Sequence, residues 1–315
     1  MKRALVTGSH GFAGTHLRRL LGAQGWAVAG LGRAPRDPGP GEGYVAADLR
    51  DVEALGRAVT EAAPDVVFHL AGHLGRGGAA SHREAVDVNA AGTRALFEAL
   101  AIRGRPVRVV VAGSSAQYGA APADENPIDE DTPFRAAGAY GFSKVAAEGI
   151  ALAYHGRDGI DVVAVRPFNH VGPGEPDLWV CSSFARAVAE IEAGAEPVMS
   201  VGNLEAVRDF CDVRDVARGY LALAERGRGG RAYNLCSGRG TRIRDVLERL
   251  VALSSRPIEV RPDPERMRPA DVPLQVGSHE RATRETGWAP EIPLEQSLKD
   301  LLAGWTPRVA RAASR

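Results

Sequence analysis

Tyr140 and Lys144 are two residues whose types and spacing suit proton transfer. They lie four residues apart in AYGFSKVAAEG, 139–149, a segment with a helical pattern, so both side chains project from one helix face. A nearby ammonium favours the phenolate form of a tyrosine and lowers its pKa, so that the tyrosine can exchange a proton with a substrate oxygen. The chain has 39 basic residues, and all but three are arginines, which indicates that this position requires a compact ammonium group.

Ser114 is a hydroxyl group that could act with this pair. It follows the apolar run VRVVVAG at 107–113, which predicts a strand, and open α/β sheets bind ligands at the carboxyl ends of their strands. A tyrosine four residues before a lysine is common by chance. The serine at a predicted strand end is the feature that makes the pair a candidate catalytic site.

The sequence TGSHGFAG at 7–14 predicts a dinucleotide-binding turn. It follows a predicted strand and opens a predicted helix, so its glycines would let the backbone approach a pyrophosphate at the helix N-terminus. Three glycines alone are a weak signal, and a purely structural tight turn is the alternative. We expect the cofactor to contact this turn at Gly8, Gly11, Phe12, Ala13 and Gly14.

Arg33 bears on which dinucleotide binds. It stands in LGRAPRD, 31–37, where an NAD site usually carries an acidic residue for the ribose 2′-hydroxyl. A guanidinium instead favours a 2′-phosphate, so NADPH is the expected cofactor, with NADH possible. If Arg33 points into solvent, Arg36 is the next candidate. Asp48, which ends the third predicted strand, could bond the adenine amino group.

Alternating strands and helices must position these residues. Short apolar runs predict strands at 3–8, 26–32, 44–48, 65–71, 107–115 and 161–167. Helical patterns separate them near 12–24, 51–63, 82–102 and 139–157. Continuous apolar strands between helices predict an α/β fold with a Rossmann-type, doubly wound parallel sheet. Further cofactor contacts are expected near the strand ends, at Leu49, Leu70, Ala71, Gly72 and Pro167.

The regular alternation ends after position 167. Proline and glycine cluster at 172–176, and helical patterns occur near 182–194, 241–254 and 294–304. This change predicts a smaller C-terminal lobe packed on the strand ends. We therefore expect an NADP-binding Rossmann domain over 1–167 and a mainly substrate-binding lobe over 168–315, with 209–230 returning to the main sheet.

Composition argues against several other classes of protein. The formal net charge is zero, with 39 acidic and 39 basic residues, so neither nucleic acid nor an anionic membrane is an expected partner. Cys181, Cys211 and Cys236 lie far apart without metal-ligand spacing, so we expect no metal site and reduced thiols in a cytoplasmic protein. We also expect no signal peptide, because the first residues lead directly into a predicted strand, and no apolar run approaches the ~20 residues of a membrane span.

Several segments together resemble the extended short-chain dehydrogenases/reductases. They are TGSHGFAG, VNAAGTRALFEAL, GSSAQYG, YGFSK and RPFNHVGPG, and the resemblance covers nearly the whole chain. It implies that Tyr140 is the catalytic acid/base, that Lys144 binds the ribose and modifies the tyrosine pKa, and that Ser114 contacts the substrate oxygen. Asn89 would belong to the cofactor site.

The same resemblance bears on the catalytic hydroxyl and on the reaction. In the family, the catalytic serine or threonine lies four residues before the tyrosine of a Tyr-Gly pair, here Tyr118-Gly119, which favours Ser114 over Ser115. Related nucleotide-sugar 4,6-dehydratases carry glutamate two positions after that hydroxyl, and the fucose-forming epimerase/reductase carries cysteine. This chain has Ala116, which cannot exchange a proton. The resemblance therefore implies hydride transfer at a carbonyl, C4, ending as net reduction or as 4-epimerisation.

The second lobe resembles GDP-mannose 4,6-dehydratases and especially GDP-4-keto-6-deoxymannose reductases. The similar segments are RPFNH at 166–170, VGNLEAVRDFCDVRDVARGY at 201–220 and RMRPADVP at 266–273. By this resemblance the substrate is a nucleotide-diphosphate sugar, with GDP favoured. Arginine suits a diphosphate through its bidentate geometry. The predicted substrate contacts are Ser115, Ala116, Asn169, Arg208, Arg268 and Asp271.

A plainer interpretation of the two arginines is open. Arg208 could pair with Asp209 or Asp212, and Arg268 with Asp271, as ordinary surface charges. Under that interpretation the C-terminal lobe would carry no diphosphate site at these positions.

Four hypotheses of function follow. The leading one is an NADPH-dependent reductase of the C4 keto group of a nucleotide-linked 4-keto-6-deoxy-hexose. The second is a nucleotide-sugar 4-epimerase with tightly held NAD, which Arg33 argues against because an epimerase recycles its cofactor and commonly uses NAD. A GDP-mannose 4,6-dehydratase is less favoured. A non-enzymatic dinucleotide sensor would typically lack the tyrosine or the lysine, and this chain has both.

A homodimer is also expected. The helices predicted near 82–102 and 139–157 carry small-residue faces, and the family commonly pairs these helices across a two-fold axis as a four-helix bundle. The residues of these faces are Ala85, Ala90, Ala91, Ala146, Ala147 and Ala151.

Overall fold

A parallel sheet forms the centre of the larger lobe in the computed structural model, which describes residues 1–35, 43–267 and 272–313. Strands β3, β2, β1, β4, β5, β6 and β10 lie side by side in that order, and every neighbouring pair is parallel. The strands are, in chain order, β1 Arg3–Thr7, β2 Ala27–Gly32, β3 Gly43–Ala46, β4 Val66–His69, β5 Val107–Ala112, β6 Ile160–Pro167, β7 Asn169–Val171, β8 Val198–Val201, β9 Val207–Asp212, β10 Arg231–Leu235, β11 Gly240–Arg242, β12 Glu259–Pro262 and β13 Leu274–Gln275.

Helices cover both faces of this sheet. A π-helical turn, Asp87–Ala91, joins α3 to α4, so the helix predicted near 82–102 is continuous but irregular at its centre. The helices are α1 Phe12–Ala23, α2 Val52–Ala62, α3 Ala79–Val86, α4 Gly92–Arg103, α5 Gly138–Ala153, α6 Val180–Glu192, α7 Val213–Arg226, α8 Ile243–Val251, α9 Glu280–Thr286 and α10 Leu294–Ala313.

The apolar strands of the large sheet are buried because successive side chains enter two different cores. Val6 and Phe68 pack with residues of α1 and α7 on one face. Leu5 and Val67 pack with residues of α2 and α4 on the other face. Burial on both faces explains why these strands are continuously apolar rather than alternating. The predicted doubly wound α/β fold is confirmed.

The C-terminal lobe is built around strand β9. This strand pairs with β7 and β13 in parallel and with β11 antiparallel, while β8 and β12 form a separate parallel pair. Helices α6, α8 and α10 enclose its core, which contains Ala185, Val188, Leu247, Leu250, Leu301 and Trp305. The lobe therefore has a hydrophobic centre of its own.

The segment 209–230 is divided between the two lobes. Residues 209–212 belong to β9 of the small sheet, and α7 then packs against α1 on the large sheet. The chain re-enters the large sheet at β10, which pairs with β6. The functional division at residue 167 into cofactor and substrate regions stays a prediction.

The cysteines are buried and free. Burial raises the pKa of the thiols of Cys181, Cys211 and Cys236. Within the described residues, no group of three or more His, Cys, Asp and Glu side chains could hold a metal ion. Across the same part of the chain, no helix is long and apolar enough to cross a membrane.

Candidate active site

The turn between β1 and α1 lies at the carboxyl end of the large sheet. Gly8 has a left-handed backbone, φ +68°, and a Cβ there would lie 2.9 Å from the backbone nitrogen of Ala71 in the loop after β4. A Cβ at Gly14 would overlap the carbonyl oxygen of Gly8. Gly11 is the N-cap of α1, so no side chain caps the first N–H groups of that helix. This cradle fits the pyrophosphate of a dinucleotide.

The other predicted cofactor positions lie along the same edge of the sheet. Phe12 and Ala13 begin α1, and the Phe12 ring stacks on His170 with centroids 5.5 Å apart. A Cβ at Gly72 would lie 3.2 Å from Nζ of Lys144, so the loop after β4 passes beside that ammonium group. Leu49 and Pro167 are buried, and Leu70 and Ala71 are half-buried.

Arg33 lies just beyond β2 and forms an ion pair with a residue of α3. Its Nη1 is 3.2 Å from Oε1 of Glu84, and the Arg33 side chain is 63% exposed. The second carboxylate oxygen of Glu84 lies 3.5 Å from Nε2 of His73. A 2′-phosphate would therefore compete with Glu84 for this guanidinium. Arg36, the other candidate, lies outside the described residues.

Asp48 is already engaged by a neighbouring arginine. Its Oδ1 accepts hydrogen bonds from the backbone nitrogen and Nε of Arg50, and its Oδ2 accepts one from Nη2. The hydrogen bonds from Arg50 lower the pKa of Asp48 to about 2, although partial burial opposes them. Contact with the adenine amino group would have to use the remaining lone pairs of this carboxylate.

Ser114, Tyr140 and Lys144 meet at the ends of β5 and α5. The Ser114 hydroxyl lies close enough to the Tyr140 phenol to favour its ionised form, and Lys144 Nζ donates a 2.7 Å hydrogen bond to the carbonyl of Ala112, the last residue of β5. Burial lowers the pKa of Lys144 to about 8. Burial raises the pKa of Tyr140, and the interaction with Ser114 only partly offsets it. The Tyr140 pKa is thus raised rather than lowered as predicted, and the phenol is protonated at neutral pH.

Ser115 points away from the tyrosine. Its hydroxyl donates to Oε1 of Gln275 on β13 at 3.1 Å, and Gln275 Nε2 donates to the Ser115 carbonyl at 3.0 Å. Ser114 is the serine that contacts Tyr140, and its Oγ also accepts the Ala116 N–H at 3.2 Å. The contact therefore favours Ser114 as the catalytic hydroxyl, while Ser115 ties this turn to the C-terminal lobe.

Asn89 lies in the π-helical turn and is buried. Its Oδ1 accepts the N–H of His73 at 2.7 Å, and its Nδ2 donates to the His73 carbonyl at 2.9 Å and to Ser143 Oγ at 2.8 Å. The Ser143 hydroxyl in turn donates to the carbonyl of Tyr140. The amide thus joins the loop after β4 to α5, and both of its donors are used within the protein.

Arg208 lies on β9 in a half-buried position, beside Gln275 in the register of the small sheet. Its guanidinium donates to the carbonyl of Val207, and no carboxylate among the described residues pairs with it. Burial lowers its pKa. A partly buried guanidinium without a carboxylate is suited to an anionic ligand.

The alternative pairing of Arg208 with Asp209 or Asp212 is wrong. Asp209 accepts hydrogen bonds from the turn at 237–238 and from Gly277 N, and Asp212 pairs with Arg214. Both carboxylates therefore bond to groups other than the Arg208 guanidinium.

The remaining predicted substrate contacts are placed only in part. Asn169 Nδ2 donates to the Asp209 carbonyl at 3.3 Å, which orients its amide on β7 beside β9. Arg268 and Asp271 lie outside the described residues.

Comparison with known proteins decides the family. Residues 4–236 match the sequence model of the NAD dependent epimerase/dehydratase family. The chain belongs to this family. The prediction of an extended short-chain dehydrogenase/reductase is thereby confirmed, and the glycine cradle and the Ser114–Tyr140–Lys144 contacts are the parts of this family member that suit dinucleotide-dependent chemistry.

Several relatives match nearly the whole chain. GDP-6-deoxy-D-mannose reductase of Pseudomonas aeruginosa is 36% identical over 98% of both chains. A GDP-mannose 4,6-dehydratase of Yersinia enterocolitica is 27% identical, covering 96% of this chain and 94% of its own. Among solved structures, RMD of Pseudomonas aeruginosa in complex with NADPH is 34% identical, has a TM-score of 0.86, and covers 98% of this chain and 100% of its own.

His69 is a site-supporting residue of this family member that the sequence analysis missed. Thr93 Oγ1 donates its hydrogen to the Asn89 carbonyl, so it accepts the Nε2–H of His69 at 3.0 Å. A neutral ring that donates at Nε2 accepts at Nδ1, here from Thr7 Oγ1 at 2.8 Å, and Thr7 Oγ1 also accepts the Ala71 N–H. Burial, with Lys144 nearby, lowers the pKa of His69 to about 3, so the ring is neutral. The available signal was a histidine inside the apolar run VVFHLA, 66–71.

Proposed function

We propose that the chain is an NADPH-dependent reductase of the C4 keto group of a GDP-linked 4-keto-6-deoxy-hexose. The observation that carries this proposal is the grouping of the half-buried Ser114 and Tyr140 with the buried Lys144, with the phenol in its protonated form. A reduction requires a proton donor at the carbonyl oxygen, and a neutral tyrosine is one. The full-length similarity to a GDP-6-deoxy-D-mannose reductase supports the substrate class.

Each member of the catalytic set has a distinct task in this proposal. Bound NADPH supplies the hydride that is added to C4 of the sugar. Tyr140 passes its phenolic proton to the C4 oxygen, and the Ser114 hydroxyl donates a hydrogen bond to the same oxygen while charge develops there. Lys144, fixed by the Ala112 carbonyl, directs its other N–H groups to the ribose hydroxyls and stabilises the phenolate left behind.

The cofactor preference is assigned to Arg33. Its position after β2 and its exposed guanidinium suit a 2′-phosphate, and the NADPH complex of a relative that is 34% identical supports NADPH for this chain. The pyrophosphate is assigned to the cradle of Gly8, Gly11 and Gly14. NADH, which lacks the 2′-phosphate, is expected to bind more weakly.

The diphosphate of the substrate is assigned to Arg208. Its lack of a carboxylate partner among the described residues leaves its donors for an anion, and strand register places it beside Gln275, which holds the Ser115 turn. Arg268 is proposed as the second arginine. GDP as the nucleotide rests on the printed names of the relatives rather than on a contact in this chain.

Dehydration is not proposed, because the part of the chain that the structure describes offers no suitable second proton-exchanging group, in addition to Tyr140, beside Ser114. Ala116 cannot serve. Glu205 is on the surface and pairs with Arg244. Glu175 is buried, and burial raises its pKa to about 8, so it is largely protonated at neutral pH and is not a ready base.

A homodimer formed through α5 is part of the proposal, with a changed contact face. Ala85, Ala90, Ala147 and Ala151 are buried inside the protomer, so four of the six predicted alanines cannot form the interface. The exposed stripe of α5 instead contains Phe142, which is 61% exposed, followed by Ala146, Gly149 and Ala153.

A cytoplasmic location is proposed from the reduced, buried cysteines.

A substrate screen tests the proposed function. Purified protein is incubated with NADPH and 4-keto-6-deoxy-hexoses linked to GDP, dTDP, UDP or CDP, and the products are identified by mass spectrometry and NMR. Stoichiometric NADPH oxidation with the GDP-linked sugar alone supports the proposal. Protein that is purified with bound NAD and interconverts C4 epimers would support a 4-epimerase. Conversion of GDP-mannose with NADP⁺ into a 4-keto-6-deoxy product over many turnovers would support a dehydratase.

A further inference from the structure

A buried polar network lies beneath the catalytic hydroxyl and is not used by the proposed chemistry. Its first member, Gln117, ends the short helical turn that Ser114 begins. Gln117 Oε1 accepts the backbone N–H of Ser114 at 2.7 Å, and its Nε2 donates to Oε2 of Glu148 at 2.7 Å. The single carboxamide thus connects the serine backbone to α5, the helix that carries Tyr140 and Lys144.

Glu148 is held in turn by an arginine of β6. Arg166 Nε donates to Glu148 Oε2 at 3.0 Å and Arg166 Nη2 to Oε1 at 2.5 Å, with 6% and 3% of the two residues exposed. Burial would lower the pKa of Arg166, but the hydrogen bonds to Glu148 outweigh it and raise that pKa. Both carboxylate oxygens of Glu148 are therefore fixed, and their position on α5 is set relative to β6.

Arg166 extends the network to the adjacent strand. Its Nη1 donates to Tyr118 Oη and to the carbonyl of Glu130, and the Tyr118 hydroxyl donates to Oδ1 of Asn234 on β10. The Ser114 turn, α5, β6 and β10 are consequently connected by one series of buried hydrogen bonds. Glu148 is four residues after Lys144, so it lies on the same side of α5 as the catalytic pair.

The backbone near Ser114 is shaped to admit the carboxamide. A Cβ at Gly113 would overlap Oε1 of Gln117, so glycine at this position leaves the space that the amide oxygen occupies. Ser114 has an extended backbone, φ −168° and ψ 150°, and its N–H has Gln117 as its acceptor. The loop residue Gly113, the turn residue Gln117, Glu148 of α5 and Arg166 of β6 are thus arranged around the backbone of one serine.

We propose that Gln117 and Glu148 form a positioning pair, which sets the distance and angle between the Ser114 hydroxyl and the Tyr140 phenol. This inference rests on the proposed function, in which those two groups act on one substrate oxygen. Small displacements of reacting groups are costly, since an error near 1 Å can reduce a rate by about 10²-fold. Neither residue touches the reacting atoms, so their effect on the reaction passes through Ser114 and α5.

The test uses Gln117→Leu, which removes the carboxamide and keeps a side chain of similar size. We expect kcat to fall by about 10²-fold while KM for the sugar nucleotide and the Kd of NADPH change by less than about threefold. A crystal structure of the variant should show a Ser114 Oγ to Tyr140 Oη distance that differs from the wild-type distance by about 1 Å. This structural measurement stands even if the wild-type protein does not reduce the proposed sugar, a result that would contradict the function alone.

An exchange of the two polar groups provides the rescue. Gln117→Glu alone places two carboxylates side by side, and we expect it to lower kcat at least as much as Gln117→Leu. Combining it with Glu148→Gln restores an amide facing a carboxylate and keeps one negative charge near Arg166, so kcat should rise above that of Gln117→Glu alone. Full recovery is not expected, because the new amide nitrogen also faces the Arg166 Nε–H donor. If the double variant does not fold, Gln117→Leu decides the question.

Thr286→Val on α9 is the matched control for a merely structural role. The Thr286 hydroxyl is buried, donates to the Ala282 carbonyl and accepts the Trp288 N–H, and α9 packs against α7 and β10. We expect this variant to lower Tm and leave kcat unchanged. The positioning proposal is overturned if Gln117→Leu keeps kcat within about twofold of wild type, if the Ser114 Oγ to Tyr140 Oη distance is the same as in the wild-type protein, or if kcat and Tm fall together in both variants alike.

Discussion

Burial raises the pKa of the Tyr140 phenol and the Ser114 hydroxyl lowers it. The effect of burial is larger, so the net pKa is raised. A protonated phenol is the form that a reductase needs before the hydride arrives, whereas oxidation of an alcohol would need the phenolate. Lys144, with a pKa lowered to about 8, still carries its charge at neutral pH and can stabilise the phenolate once the proton has left. The two residues therefore suit reduction near neutral pH.

The first prediction concerns this proton donor. Tyr140→Phe should lower kcat by about 10²–10⁴-fold, because it removes general acid catalysis and little else. The Kd of NADPH, measured by nucleotide fluorescence, should stay close to wild type. Tyr154→Phe, at the end of the same helix with its ring packed on Phe97, is the matched control and should leave kcat unchanged. A Tyr140→Phe enzyme with more than half the wild-type turnover would remove Tyr140 from the catalytic assignment.

The second prediction concerns Arg33 and its carboxylate partner. Arg33→Asp should reduce the ratio of kcat/KM for NADPH over NADH by about 10- to 100-fold, since it replaces a charge-assisted hydrogen bond with repulsion of the 2′-phosphate. Glu84→Gln should shift the same ratio the other way, because it frees the Arg33 guanidinium from its ion pair. An unchanged ratio in Arg33→Asp would transfer the assignment to Arg36.

Local residue patterns indicated the candidate catalytic residues and the glycine turn, but not the buried hydrogen bonds that hold them in place. Tyr140 and Lys144 are separated by one helical turn, and the glycine turn is contiguous, so both were visible in the sequence. The contact of Gln117 with Glu148 and that of Thr7 with His69 join residues 31 and 62 positions apart, and no local period indicates such partners. The Arg33–Glu84 pair, 51 positions apart, was missed for the same reason.

At the scale of elements, the first helix offers two glycines with opposite roles. Gly14 packs so closely on the Gly8 carbonyl that a Cβ would overlap it, whereas a Cβ at Gly22 would meet nothing within 4 Å. We predict that Gly14→Ala lowers Tm and weakens NADPH binding measured by calorimetry. Gly22→Ala should leave binding intact and stabilise the fold by about 0.5–1 kcal/mol, the usual gain at an exposed helical site. Equal NADPH affinity in both variants would contradict the assignment of the cradle.

The elements themselves were predictable in the larger lobe and less so in the smaller one. Six strands of the large sheet follow from their apolar runs, because strands buried on both faces have a strong compositional signal. Strands β7 to β9 and β11 to β13 have two to six residues each and depend on partners distant in the chain. The π turn in the middle of the helix near 82–102 depends on how its side chains, Asn89 among them, bond to the loop after β4 and to α5.

At the scale of the whole molecule, the exposed face of α5 leads to a prediction about assembly. The protein should be a dimer by light scattering at micromolar concentration, and Phe142→Glu should convert it to a monomer by placing a charge in the apolar contact. Leu253→Glu, an exposed leucine just after α8, is the control and should leave the dimer intact. A wild-type protein that is monomeric under these conditions would contradict the proposed interface.

The two lobes meet where the chemistry is assigned. The Ser115–Gln275 hydrogen bonds join the catalytic turn to the small sheet, and Arg208 lies beside Gln275 in that sheet. A sugar held between Ser114 and Arg208 would have its carbonyl at the large lobe and its diphosphate at the small one. The central claim is that such a sugar receives a hydride at C4 from NADPH.

Isotope transfer tests that claim most directly. NADPH carrying deuterium at C4 of the nicotinamide, prepared separately in the R and S forms, is incubated with the enzyme and the GDP-linked 4-keto-6-deoxy-hexose. We predict that one of the two labelled forms delivers a single deuterium to C4 of the sugar, with one NADP⁺ formed per product, and that the other delivers none. Product without deuterium from either form, or labelled sugar that forms without net oxidation of NADPH, would contradict the account.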